Sequence, residues 1–131
     1  MIDKNLTYAV IGASQNAEKY GFKVFKDLLD ASYKVIPVNP KGGELLGEKV
    51  WPSILDYQPA IDVAIFVIPP TAALSTLKEI VIKKIGKVWF QPGSESDEAI
   101  KFCKNNNIEC ISKACIMIEK TSKSGKSFGL K

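Results

Sequence analysis

The chain has no histidine at any of its 131 positions. That absence removes Ser-His-Asp and Cys-His nucleophile pairs, histidine-ligated metals and any phosphohistidine intermediate. Cysteine is scarce as well. Cys103, Cys110 and Cys115 are the only three, with no C-x-x-C spacing among them. An odd, scattered set of thiols builds no disulfide framework and makes a poor zinc site; it suits a reducing compartment. No segment reaches ~18 uninterrupted apolar residues, and the N-terminus lacks an apolar signal core. A cytoplasmic protein without membrane association is expected.

Neither sign of charge is in large excess. Eighteen basic residues against 14 acidic ones leave a net charge of +4, and part of it is local. Residues 120–131 carry four lysines and no acid. Such a tail reads as a frayed, solvated C-terminus, with a nucleic-acid or anionic-membrane role as the alternative. The body without it is close to neutral, which does not describe a nucleic-acid binder.

Two phosphate-binding signatures are missing too. The dinucleotide pattern G-x-G-x-x-G fails on its second glycine after residue 12, and G-x-x-x-x-G-K-[ST] does not follow any strand. Gly125, Lys126 and Ser127 in the tail lack both the preceding strand and the spacing.

What is present is an alternation of strand and helix. The length fits one domain, and 46% hydrophobic with 24% charged residues is ordinary for a globular core. Residues 6–11 read as a buried strand, stopped by Gly12, Ala13 and Ser14. Between 20 and 31, Phe22, Val24, Phe25, Leu28 and Leu29 recur near helical spacing. Residues 34–38 form a second strand, and 45–56 an irregular stretch with a short strand and one helical turn. The most apolar run, 61–68, suits a central strand covered on both faces and ended by Pro69 and Pro70. Thr71 is the expected cap of the next helix, with Ala72, Leu74, Leu77, Ile80 and Val81 on its packed face. A strand at 88–90 precedes a helix opened by Ser94, with acids in its first turns, and 108–111 is the last strand. Trp51, Phe66, Trp89 and Phe90 lie on or beside strands and read as core. The expected fold class is therefore α/β: one Rossmann-like domain, a mostly parallel sheet with helices on both faces.

In such sheets ligands sit beyond the carboxyl ends of the strands. Four loops qualify. The first, from Gly12 to Gly21, offers backbone N–H groups, a helix N-terminus and the Ser14 hydroxyl to an anion, or is a tight turn needing Gly12 for geometry alone. The second begins Asn39, Pro40, Lys41, where NAD-binding domains place an acid for the ribose. Here a lysine stands instead, which favours a ligand with extra phosphate, or else solvates a turn. Ile68, Pro69 and Pro70 form a rigid apolar loop, and Gln91, Pro92 and Gly93 a turn. Cys115 follows the last strand, either as a small core residue or as a thiol near the ligand.

These residues in this order resemble a known family. The carriers are VIGAS at 10–14, KYG at 19–21, VIPVNPK at 35–41, residues 47–52, FVIPP at 66–70, WFQPG at 89–93 and CIMIE at 115–119. The resemblance, from about Thr7 to Glu119, is to small bacterial and archaeal CoA-binding-domain proteins. Their fold is like the nucleotide-binding domain of the succinyl-CoA synthetase α subunit and of ADP-forming acyl-CoA synthetases. It implies a CoA-binding domain over 1–119 and a basic, flexible tail over 120–131. Gly12, Ala13 and Ser14 would line the phosphates, with Lys19 and Tyr20 close by. Asn39, Pro40 and Lys41 would sit by the ribose and its phosphate. Ile68, Pro69 and Pro70 would border the adenine, and Gln91 and Pro92 the pantetheine side. The synthetases pass phosphate through a histidine, so the resemblance implies a binder of CoA or acyl-CoA without complete catalytic machinery. A small NADP-dependent oxidoreductase and a redox regulator forming a mixed disulfide between Cys115 and CoA are the alternatives. A protein partner or a homodimer is compatible with each.

Overall fold

The structure is a computed structural model in which residues 3–117 are described. The expected tail at 120–131 and the end of the CIMIE stretch, Ile118 and Glu119, lie outside the described residues. In chain order the elements are β1 (Thr7–Ile11), α1 (Tyr20–Asp30), β2 (Lys34–Val38), β3 (Glu44–Leu45) and β4 (Glu48–Lys49). A single 3-10 turn follows at Ile54–Asp56. Then come β5 (Val63–Phe66), α2 (Pro70–Lys83), β6 (Lys87–Phe90), α3 (Asp97–Asn105) and β7 (Glu109–Ile111).

Five strands form one parallel sheet in the order β2-β1-β5-β6-β7, and β3 and β4 pair separately as an antiparallel hairpin. The chain steps outward from β1 to β2, then crosses back to β5 on the other side of β1. The reversal falls at the carboxyl ends of β1 and β5, where a doubly wound sheet opens a crevice.

Each strand feeds two cores, because successive side chains alternate between faces. Ala9, Ile11, Ala64, Phe66, Val88 and Phe90 pack with Ala73, Leu77 and Ile80 of α2 and Ala99 and Cys103 of α3. Tyr8, Val10, Val63, Ile65 and Trp89 pack on the opposite face with Val24, Phe25 and Leu28 of α1. Helices therefore cover both faces, as the alternation predicts. Of the four aromatics expected in the core, Phe66, Trp89 and Phe90 are buried, while Trp51 is half-buried beneath the Lys49 ammonium, 4.2 Å from its ring centroid.

Several boundaries differ from expectation, each for a physical reason. The central strand is Val63–Phe66, shorter than 61–68: the Val67 N–H still bonds the Ile11 carbonyl of β1, but the Ile68 N–H turns away to Ser94 Oγ. Pro69 and Pro70 do not end this strand but start α2, as N-cap and first helical residue, where a missing N–H costs nothing. Thr71 is thus inside the helix and caps nothing. The buried face of α2 is Ala73, Leu77 and Ile80; Ala72 and Val81 are exposed. Ser96, not Ser94, opens α3, accepting the Ala99 N–H at 3.0 Å. Ser94 is instead buried at 4% exposure and braces the Ile68 loop. The irregular stretch holds the hairpin, which turns through Leu46 and Gly47, both at positive φ. Among the described residues no helix is long and apolar enough to cross a membrane, and no cluster suited to a metal ion occurs.

Candidate functional site

The chain turns sharply after β1 at Gly12, whose φ of +99° suits only glycine without strain. Its carbonyl oxygen lies against Gly21, in the first turn of α1. A methyl group on Gly21 would overlap that oxygen, and one on Gly12 would strike the Val67 carbonyl. This contact seats the start of α1 directly over the end of β1. The loop between is braced from within: Ser14 Oγ accepts the Asn16 N–H at 3.0 Å, Asn16 Oδ1 accepts the Glu18 N–H at 2.9 Å, and the Asn16 carbonyl accepts the Lys19 N–H at 3.0 Å.

Beside this loop lies the loop after β2, and Asn39 ties them together. Its Nδ2 donates to the Ala13 carbonyl at 2.7 Å, while its Oδ1 accepts the Lys41 N–H at 2.9 Å. Asn39 is a brace, with both ends of its amide engaged. The Gly12 and Ala13 N–H groups are engaged too, both on the Val38 carbonyl, at 2.9 and 3.2 Å. They are not free for an anion as the loop pattern suggests.

Between the two loops opens a polar cleft of about 270 Å³. Ala13, Ser14, Lys19, Asn39 and Lys41 line it, together with Gln15 and with Leu45 and Val50 at the hairpin. Among the described residues no carboxylate lines this cleft and neither lysine is ion-paired. Gln15 was not legible as a site residue; its Nε2 donates to the Glu44 carbonyl at 2.6 Å and anchors the hairpin at the rim.

A second cleft, of about 460 Å³, opens on the other side of β1, between the loops after β5 and β6. Tyr20, Ile68, Pro69, Gln91, Pro92 and Cys115 line it with Val67, Gly93 and Ser94. The Gln91 side chain is 4% exposed: Oε1 accepts the Ile116 N–H at 2.8 Å and Nε2 donates to Cys115 Sγ at 3.4 Å. Cys115 is therefore a half-buried residue on a cleft wall rather than a core thiol. Cys103 is the core thiol. Burial pushes it up to about 12, with the neighbouring Cys110 adding to the effect. It is inert as a nucleophile at neutral pH.

The sequence-derived set thus divides between two clefts. Ala13, Ser14, Lys19, Asn39 and Lys41 share one; Tyr20, Ile68, Pro69, Gln91, Pro92 and Cys115 share the other. Gly12, Pro40 and Pro70 line neither and act on backbone geometry. Lys19 lines one cleft, and its neighbour Tyr20, the first residue of α1, lines the other. Such an arrangement suits an elongated ligand, charged at one end and apolar at the other.

Residues 6–121 match the CoA binding domain family. An ADP-forming acetate–CoA ligase of Methanocaldococcus jannaschii is 35% identical over 121 residues, 86% of this chain but 17% of that protein. The chain spans well under a third of that ligase. YneT, an uncharacterized protein of Bacillus subtilis, is 29% identical over 90% of this chain and 87% of its own length. Among solved structures, a conserved hypothetical protein of Pyrococcus furiosus superposes with a TM-score of 0.84 at 40% identity, covering 87% of this chain and 98% of that one.

Proposed function

The chain belongs to the CoA-binding domain family, and from that premise we propose that it binds coenzyme A or a CoA thioester across the two clefts, as a binding module. The observation that carries this reading is the pair Lys19 and Lys41, lining one carboxylate-free cleft at the carboxyl edge of β1 and β2. Two ammonium groups facing one space repel each other unless an anion lies between them, and a diphosphate with an additional ribose phosphate supplies that charge. Ser14 and Lys19 take the diphosphate, and Lys41 the ribose phosphate. Asn39 holds the two loops at the required separation. Ile68 and Pro69 line the second cleft together with Gln91 and Pro92. The nucleotide end lies on the Lys41 side, and the pantetheine arm crosses Tyr20 towards Gln91 and Pro92.

Calorimetric titration with CoA, dephospho-CoA, NAD and NADP, in reductant, tests this. Micromolar binding of CoA, weaker dephospho-CoA and no response to NAD are expected. Preference for NADP would move the protein to the oxidoreductase class, and silence from all four would sink the reading. Lys41→Ala should weaken CoA by about 1–3 kcal/mol, the range for a charge-assisted hydrogen bond. It should leave dephospho-CoA nearly unchanged.

A further inference from the structure

Two of the three thiols lie away from both clefts and close to each other. Cys103 stands in the last turn of α3, fully buried, and Cys110 in β7, half-buried, with six residues between them. The intervening chain folds back on itself. The Cys103 carbonyl accepts the Asn106 N–H at 3.1 Å and the Ile108 N–H at 2.9 Å, so β7 begins against the end of the helix. Residues two apart on an extended strand point to one face. Ile108 and Cys110 accordingly share the apolar cluster to which Cys103 belongs, whereas Ile111 turns to the opposite face. The two sulfurs are hydrogen-bonding neighbours, and Cys110 helps to hold the proton on Cys103. Cys115, by contrast, lies on the wall of the larger, apolar cleft with the Gln91 amide as its partner.

β7 is also the strand least held by the sheet. At three residues it is the shortest of the five, and it lies at the end of the order, with β6 its only strand neighbour among the described residues. We propose that Cys103 and Cys110 form a redox-active dithiol, which hydrogen peroxide converts to an intramolecular disulfide that staples β7 to α3. Cys110, the more exposed of the two, reacts first. Its sulfur attacks one peroxide oxygen: the S–O bond forms, the O–O bond breaks, and the second oxygen leaves as water with the thiol proton. The sulfenic acid so formed condenses readily with a neighbouring thiol. Cys103 is inert towards a reagent in solution, but it meets this activated sulfur in contact, with no encounter to wait for. The S–S bond forms, the S–O bond breaks, and the departing hydroxide takes the Cys103 proton as a second water. Two thiols are oxidised and one peroxide is reduced; a thiol reductant reverses the link. This proposal is independent of the CoA reading.

Peptide mapping of the full chain tests it. The protein is treated with hydrogen peroxide in slight excess, quenched in acid, unfolded and alkylated. The expected product is a linked pair of peptides carrying Cys103 and Cys110, lighter by two hydrogens than the separate peptides and returned to two free thiols by dithiothreitol. A Cys110 that remains alkylatable, that reaches sulfinic acid while Cys103 stays alkylatable, or that links to Cys115 or to a second chain would overturn the proposal. Cys110→Ser, at a half-buried position, should leave Cys103 fully alkylatable after the same treatment. Loss of the Cys103 thiol in that variant would show that the two do not act as a pair. Hydrogen exchange reads the staple separately. Closing so short a loop should slow exchange at 109–111 in the oxidised protein by roughly tenfold or more. Equal rates in the two forms would mean that the link constrains nothing, and the stapling role would fall.

Discussion

Gly21 carries a constraint that begins nine residues earlier, at the turn after β1. Because a methyl group at Gly21 would overlap the Gly12 carbonyl oxygen, which is backbone and cannot swing aside, Gly21→Ala must push α1 off the sheet. We expect a loss of about 1–3 kcal/mol or more in urea unfolding, the range for overpacking. Gly86→Ala is the matched control. Nothing lies within 4 Å of its added methyl and its φ is not positive, so stability should hold or rise by about 0.4–1 kcal/mol. Tyr8 supplies a pH-dependent counterpart. Burial pushes its hydroxyl from 10.0 up to about 12, against a smaller opposing effect of the hydrogen bond it accepts from the Asp3 N–H. The unfolded chain then gives up this proton at lower pH than the folded one. The associated stability is intact below pH 10.0 and falls as pH rises towards about 12. Urea midpoints taken on either side of the ordinary tyrosine value should fall more steeply in the wild type than in Tyr8→Phe. At this scale the sequence displayed the right residue types and hid their partners. Asn39 and Gln91 are placed correctly at the sheet's edge, yet both amides are used inside the protein. Nothing local to either position indicates Ala13 or Ile116 as the other end.

The elements were most legible where one strand or helix decides its own limits. β2 at Lys34–Val38 and the start of α1 at Tyr20 coincide with the sequence reading, because a short β-branched run and an amphipathic stripe each terminate at strong turn residues. Helix starts with competing polar candidates were less legible. Ser94 and Ser96 both precede the acids of α3, and local pattern does not choose between them. Tertiary structure does: the hydroxyl of Ser94 is required by the Ile68 N–H, twenty-six positions away in sequence. Replacing each serine by alanine should therefore produce different losses. Ser96→Ala removes a cap and should cost about 0.5–2 kcal/mol, with CoA affinity unaffected. Ser94→Ala leaves a part-buried N–H without its acceptor, costing about 1–3 kcal/mol, and loosens the Ile68 wall of the apolar cleft. A combined denaturation and binding series distinguishes them, since only the second should weaken CoA binding. The same logic explains α2. Two prolines read as a full stop in sequence, but in three dimensions they are the opening of a helix whose first N–H groups have no intrahelical partner to lose.

For the molecule as a whole, the parallel sheet makes its two edges unequal. Every strand of the sheet points its carboxyl end to the same side, so both clefts, both lysines and the Gly12–Gly21 contact gather there. The opposite edge holds the strand beginnings, where the Asp62 carboxylate accepts the Thr7 N–H and Lys87 pairs with Glu109. A ligand that spans both clefts must therefore stabilise the protein unevenly. Binding to the folded state alone adds about 2.7 kcal/mol at a hundredfold excess over Kd, which global unfolding will register as a higher Tm. Local openings should respond only where the ligand closes them. Hydrogen exchange at saturating CoA should slow at 13–20, 39–45 and 91–94, and should be unchanged, beyond the global term, in the connections 57–62 and 84–87. Protection confined to 13–20 and 39–45 would mean that the lysine cleft alone is occupied and the apolar cleft remains open to solvent. The exchange pattern thus reads the occupancy of each cleft directly from the backbone, with no substitution to disturb it.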